Sequence, residues 1–159
     1  MNFFAFHRIW ISGFFFLTAC SKDVGVPIEL APYTDKALVD SAKQLSYHYH
    51  GNTIQQGNNG QHGPYRLHFN STAFSVLDTA MELPVNKLFP DGSIVVKEVL
   101  KNGSVDLFAI MHKQNGVWRW GELRPDGTSI YSLSENLSIC TNCHSQAGNR
   151  DFLLTYKFK

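Results

Sequence analysis

Pro90-Asp91-Gly92-Ser93-Ile94-Val95-Val96-Lys97-Glu98-Val99-Leu100-Lys101-Asn102-Gly103 is the stretch that decides the fold. Proline pre-sets the first angle of a turn and glycine tolerates positive φ, so Pro90-Asp91-Gly92 reverses the chain. The β-branched run after it suits a strand over 93–100. Asn102-Gly103 supplies two residues that reach the left-handed region, as a tight hairpin requires. A return strand over 105–113 follows, Asn115-Gly116 turns again, and Val117-Trp118-Arg119-Trp120-Gly121-Glu122-Leu123 makes a third strand that Pro125-Asp126-Gly127 ends. Three strands joined by two tight turns predict an antiparallel meander.

Outward from the meander, Tyr65-Arg66-Leu67-His68-Phe69 alternates like a short strand, and 152–158 alternates well enough to pair with the sheet. Apolar Leu38, Ala42 and Leu45 predict a helix over 35–45 capped by Thr34 or Asp35. Ser71 or Thr72 would cap a second helix over 73–81, which Pro84 prevents from continuing. Residues 51–63 form a polar, glycine-rich loop without an apolar anchor. The fold expected is α+β: an antiparallel sheet, meander plus C-terminal strand, with two or more helices packed on it.

With 159 residues, 43% hydrophobic and 17% charged, the chain can bury one core without disulfide staples. This composition excludes disorder, collagen and a multi-pass membrane protein. A net charge of +1 and the lack of a basic run give no footprint for nucleic acid.

His7 and Arg8 precede the apolar run Ile9-Trp10-Ile11-Ser12-Gly13-Phe14-Phe15-Phe16-Leu17, which is too short to span a bilayer and has the proportions of a signal-peptide core. Leu17-Thr18-Ala19-Cys20 resembles the lipobox of bacterial lipoproteins. That likeness implies a signal peptide over 1–19 and lipidation of Cys20; ordinary secretion with cleavage nearby is the other reading. Both mean export. Ser21 after the cysteine implies, by the same likeness, the outer membrane. Residues 20–32, with Gly25, Pro27 and Pro32, read as a tether to a domain over 33–159.

Cys140-Thr141-Asn142-Cys143-His144 is the attachment motif of haem c. Two thiols at this spacing add across the haem vinyl groups, and the adjacent histidine is the axial ligand of the iron. A structural zinc site needs about four ligands, and the chain has no second C-x-x-C. A redox-active C-x-x-C would sit in a βαβ pattern, which is absent here. With Cys20 assigned to lipid and Cys140 and Cys143 to one haem, none of the three cysteines is left over.

The motif lies late in the chain, after the meander, and no methionine follows it. Axial alternatives (Met81, Met111, His48, His50, His62, His68 and His112) are all upstream. This arrangement resembles the cytochrome P-460 family, which includes the cytochromes c′-beta. The likeness runs over 65–158 and rests on Phe89-Pro90-Asp91-Gly92 with the strand to Lys97-Glu98, on Gly116-Val117-Trp118, and on C-x-x-C-H followed by Asp151-Phe152. It implies a homodimer with a five-coordinate haem, open on its distal side to small nitrogen compounds or diatomic gases.

The resemblance puts Lys97 where the family's enzymes join a lysine to the porphyrin edge. Period-two alternation independently sets Lys97 on one face with Val95 and Val99, an apolar setting for a charge. Arg66 and Phe108 are the distal-pocket candidates that the likeness suggests, and Glu135, nine residues before His144, is a third, as a proton acceptor. Trp118 and Trp120 read as core or dimer contacts, and His48, His50, His62 and His68 as solvent-facing. Three functions follow: hydroxylamine oxidation with a cytochrome as redox partner, capture of nitric oxide or a similar gas, and electron transfer by a six-coordinate haem.

Overall fold

A computed structural model of the chain describes residues 35–43, 48–49, 54–56, 62–135 and 137–153. All of these belong to the unit Pro32–Lys159. In chain order the elements are α1 (Asp35–Lys43), β1 (His48–Tyr49), β2 (Tyr65–Phe69), α2 (Ser71–Phe74), β3 (Ile94–Lys101), β4 (Ser104–Gln114), β5 (Val117–Leu123), β6 (Ser129–Tyr131) and α3 (Ser138–His144). The strands form one antiparallel sheet in the order β1-β2-β3-β4-β5-β6. The fold is α+β.

The meander is built by its turns. Asn102 and Gly103 have φ of 53° and 81°, and Asn115 and Gly116 have 51° and 75°. This double left-handed turn matches the twist of the strands it joins. The pairs Lys101↔Ser104 and Gln114↔Val117 close the two hairpins.

Both faces of the sheet are covered, which is why β3 is buried along nearly its whole length. On one face Leu67, Phe69, Val95, Met111, Trp118 and Trp120 pack with Ala73, Leu83, Phe89 and Leu153 from the connecting segments. On the other, Leu38, Val39 and Ala42 of α1 pack on Ile94, Val96, Phe108, Ile110 and Leu123. Alternation along β3 therefore separates Val95 and Lys97 from Val96 and Glu98.

Several expectations are corrected. The helix foreseen over 73–81 is only Ser71–Phe74, and its cap is Asn70, whose side chain accepts from Ala73 N at 2.9 Å. Asp78 ends the helical course by accepting from Ala80 N and Glu82 N, both at 2.9 Å, and Met81 turns at φ 59°. His68, expected in solvent, is fully buried, with Nε2 3.2 Å from Glu98 Oε2. Strand β6 and helix α3 were not anticipated. The strand foreseen over 152–158 does not begin at Phe152, which lies in a turn at φ 65°, and Leu153 only bridges back to Arg150; the rest of that stretch, the signal peptide, Cys20, the tether and His50 lie outside the described residues.

Candidate functional site

Helix α3 carries the cysteine–histidine motif as a single turn of structure. Residues three and four apart share one side of a helix, so Cys140, Cys143 and His144 project together. Both thiols are free, Cys140 half-buried and Cys143 exposed. They open on a pocket with a cavity volume of about 130 Å³. Leu67, Val95, Met111 and Trp120 supply its apolar wall, all from the sheet face opposite α1.

His144 is held in a defined state. Its Nδ1 lies 2.7 Å from the carbonyl oxygen of Phe152. A carbonyl only accepts, so Nδ1 carries the proton and Nε2 keeps its lone pair. Burial lowers the imidazole pKa below its ordinary value, Lys97 lowers it further, and the Phe152 carbonyl works the other way. The ring packs against Trp120 at 5.8 Å between centroids. Asn149 Nδ2 donates to the carbonyls of His144 at 2.9 Å and Cys143 at 3.4 Å, closing the end of the helix.

Lys97 enters the same pocket from the middle of β3, opposite Leu67 and Ala109 in the register. Its Nζ sits 4.3 Å from the centre of the Tyr65 ring. Burial pushes the amine pKa down, partly opposed by Cys143. A neutral amine is the nucleophilic form.

Glu122 and His62 line the pocket too, with His62 Nε2 3.7 Å from Glu122 Oε1. Burial raises the Glu122 pKa. Burial, then the nearby Lys97 and His144, lowers that of His62. Glu122 is not among the residues the sequence singles out, and His62, an axial alternative expected in solvent, is instead a half-buried lining residue. For Glu122 the signal was present, since Trp118, Trp120 and Glu122 alternate onto one face of β5. His62 follows a polar loop and carries no such periodicity.

The distal candidates lie elsewhere. Arg66, one residue from Leu67, points to the other sheet face and pairs with Glu98 at 3.3 Å. Phe108 is buried in the cluster beneath α1. Glu135 is exposed, and its Oε2 accepts from Ser132 N at 3.3 Å. None of the three lines the pocket. Of the two tryptophans, Trp118 is core, stacked edge-on to Phe89, and Trp120 is both core and pocket wall.

Among the described residues, no three His, Cys, Asp or Glu side chains converge as they would around a bare metal ion. No family model, curated protein or solved structure matches the chain.

Proposed function

We propose that the chain is an exported mono-haem c-type cytochrome of the cytochrome P-460 kind, whose pocket takes up small nitrogen compounds or diatomic gases. The observation that carries this reading is the union, in one apolar pocket, of two free thiols and a histidine whose Nε2 lone pair is left available. That donor set suits haem c. Porphyrin nitrogens occupy four positions on the iron, so a single imidazole is a sufficient protein ligand. Cys140 and Cys143 would hold the macrocycle, His144 the iron, and Leu67, Val95, Met111 and Trp120 would exclude water from its faces. When bound, the haem supplies a redox-active iron that accepts electrons or binds a ligand.

The chain's own residues divide the remaining work. Glu122, with its pKa raised by burial, is suited to take up a proton released as a substrate N–H or O–H bond is lost. His62 Nε2 stands next to it as the second acceptor. Lys97 is the group for a bond to the porphyrin edge, because it is the amine of this pocket and its neutral form is favoured. A six-coordinate electron-transfer haem is the second reading, favoured by Met111 and His62, which also line the pocket and offer a thioether and an imidazole. Lipidation at Cys20 would anchor the protein to a membrane, with the outer membrane and a homodimer as the expected setting.

Intact-mass measurement of the denatured protein, expressed with a haem-c maturation system, tests the reading. One haem-sized increment is expected, lost in Cys140→Ala/Cys143→Ala; wild type without it refutes haem attachment. The optical spectrum of the reduced protein then separates a high-spin open site from a six-coordinate one. Peptide mapping decides the crosslink: a free Lys97 peptide removes the enzyme reading and leaves the gas binder. Wild type recovered wholly in the soluble fraction would reject the anchor at Cys20.

A further inference from the structure

The turn after α3 is strained, and the strain has a visible product. Asp151 and Phe152 both sit at positive φ, 45° and 65°. Side chains with a Cβ avoid this region, bulky ones most of all, and residues held there mark places where surrounding contacts impose the conformation. The two are the central residues of a closed turn, with Leu153 N donating to Arg150 O at 2.9 Å and Arg150 N to Leu153 O at 3.3 Å.

Two anchors, at Asp151 and Arg150, impose it, and a ring contact accompanies them. The Asp151 carboxylate, 5% exposed, accepts from Lys113 Nζ at 2.9 and 3.1 Å and from Phe89 N at 2.7 Å. Arg150 donates to Leu83 O at 2.6 Å. The Phe152 ring meets Trp120 edge-on at 5.9 Å. Lys113 is itself 5% exposed at its side chain, so the ion pair is buried at both ends. A buried pair of this kind stabilises a fold no better than apolar residues of the same volume. It does fix direction. The carbonyl delivered by the turn is that of Phe152, which accepts His144 Nδ1.

The geometry points to Asp151 and Lys113 as positioning residues for His144. Their ion pair holds the left-handed turn that aims the Phe152 carbonyl at Nδ1, and so selects the tautomer and ring orientation that present Nε2 to the pocket. Carbonyl partners of this kind also raise the basicity of a ligating imidazole. The consequence for iron rests on the function proposed above; the positioning of the ring does not.

Crystal structures and midpoint potentials of the isolated wild type, Asp151→Asn and Phe152→Gly test the assignment. Asp151→Asn is expected to lengthen the Nδ1–Phe152 contact beyond about 3.5 Å and to shift the potential positive, because the ligand becomes less basic. Phe152→Gly relieves the strained angle but keeps the carbonyl and the ion pair, and is expected to preserve both values. Should Asp151→Asn fail to fold, Lys113→Met/Asp151→Asn leaves no buried charge and is read in the same way. An unchanged contact without the ion pair, a lost contact in Phe152→Gly, or a lost contact without a shift in potential overturns the proposal. If the isolated protein holds no haem, the proposed function fails, while the His144–Phe152 contact in the variants still decides the positioning role.

Discussion

Asn70 is where a single side chain decides how β3 begins, and replacing it with alanine should cost several bonds at once. Its Oδ1 accepts from Ala73 N at 2.9 Å and from Ile94 N at 3.0 Å, while Nδ2 donates to Gly92 O at 2.8 Å. The helix cap alone contributes about 1 kcal/mol. The other two bonds contribute about 1 kcal/mol each, and more where the orphaned group is cut off from water. Ile94 is 4% exposed, so its amide is such a group. Asn70→Ala should therefore destabilise the protein by about 2–4 kcal/mol, or about 6–15 °C in Tm for a domain of this size. Asn70→Asp keeps both acceptor bonds and loses only the donor to Gly92, so it should fall between alanine and wild type. Urea and thermal unfolding of the isolated protein at one pH measure all three. Alanine within about 0.5 kcal/mol of wild type, or aspartate no better than alanine, would refute the reasoning.

Two carboxylates, one buried and one half-buried, should respond to pH with opposite sign. The hydrogen bond from His68, helped by Arg66, holds Glu98 below the usual carboxylate range; its stabilisation is present above the ordinary pKa and lost as pH falls through the folded value, so Glu98→Gln should lose stability at neutral pH and not in acid. Burial raises Glu122, so the wild type should lose stability as pH rises from the ordinary carboxylate pKa through the folded one. Glu122→Gln should therefore be the more stable protein at neutral pH and equal to wild type in acid, as read from urea midpoints across pH. Gly121→Ala should destabilise by about 1–3 kcal/mol, because its Cβ would fall 2.4 Å from Leu133 Cδ1 and 3.1 Å from Tyr131 O; an unchanged urea midpoint would mean that β6 does not approach β5 so closely.

What was legible in the sequence was what short-range chemistry encodes. The hairpins at Asn102-Gly103 and Asn115-Gly116 could be read because only a few residue types enter the left-handed region, and both pairs do. The face of Lys97 could be read because period two is rigid over an uninterrupted strand. The same rule, applied to β2 and β4, would have set Arg66 opposite Leu67 and Phe108 opposite Ala109, away from Lys97. Their assignment to the pocket came from family likeness, which does not carry strand parity with it. Asn70 is not distinguishable as the cap from sequence, because Ser71 and Thr72 beside it are equally good capping types and only the approach of Gly92 and Ile94 decides among them. His68 looked polar and solvent-facing because its partner, Glu98, is thirty positions away in the chain and meets it across the β2–β3 ladder.

The motif helix shows why its three reactive residues have to be adjacent. Isolated helices shorter than about 12–15 residues are marginal in water, and Ser138–His144 is seven residues long, buries none of them and has no side-chain cap at Leu137. Its order must come from outside. Asn149 supplies part of it by holding the last two carbonyls, and the turn at Asp151 and Phe152 supplies another part through His144. Under the proposed function the remainder would come from the cofactor, which Cys140, Cys143 and His144 would hold from this one short helix. Local spacing keeps the loops so closed short, where closure costs least entropy. The sheet supplies the opposite requirement, a fixed wall: Lys97, Glu122 and Trp120 stand on strands paired on both sides. A short helix thus faces a fixed sheet, and the pocket between them brings the sulfurs and imidazole of α3 onto the same space as the amine and carboxylate of the strands.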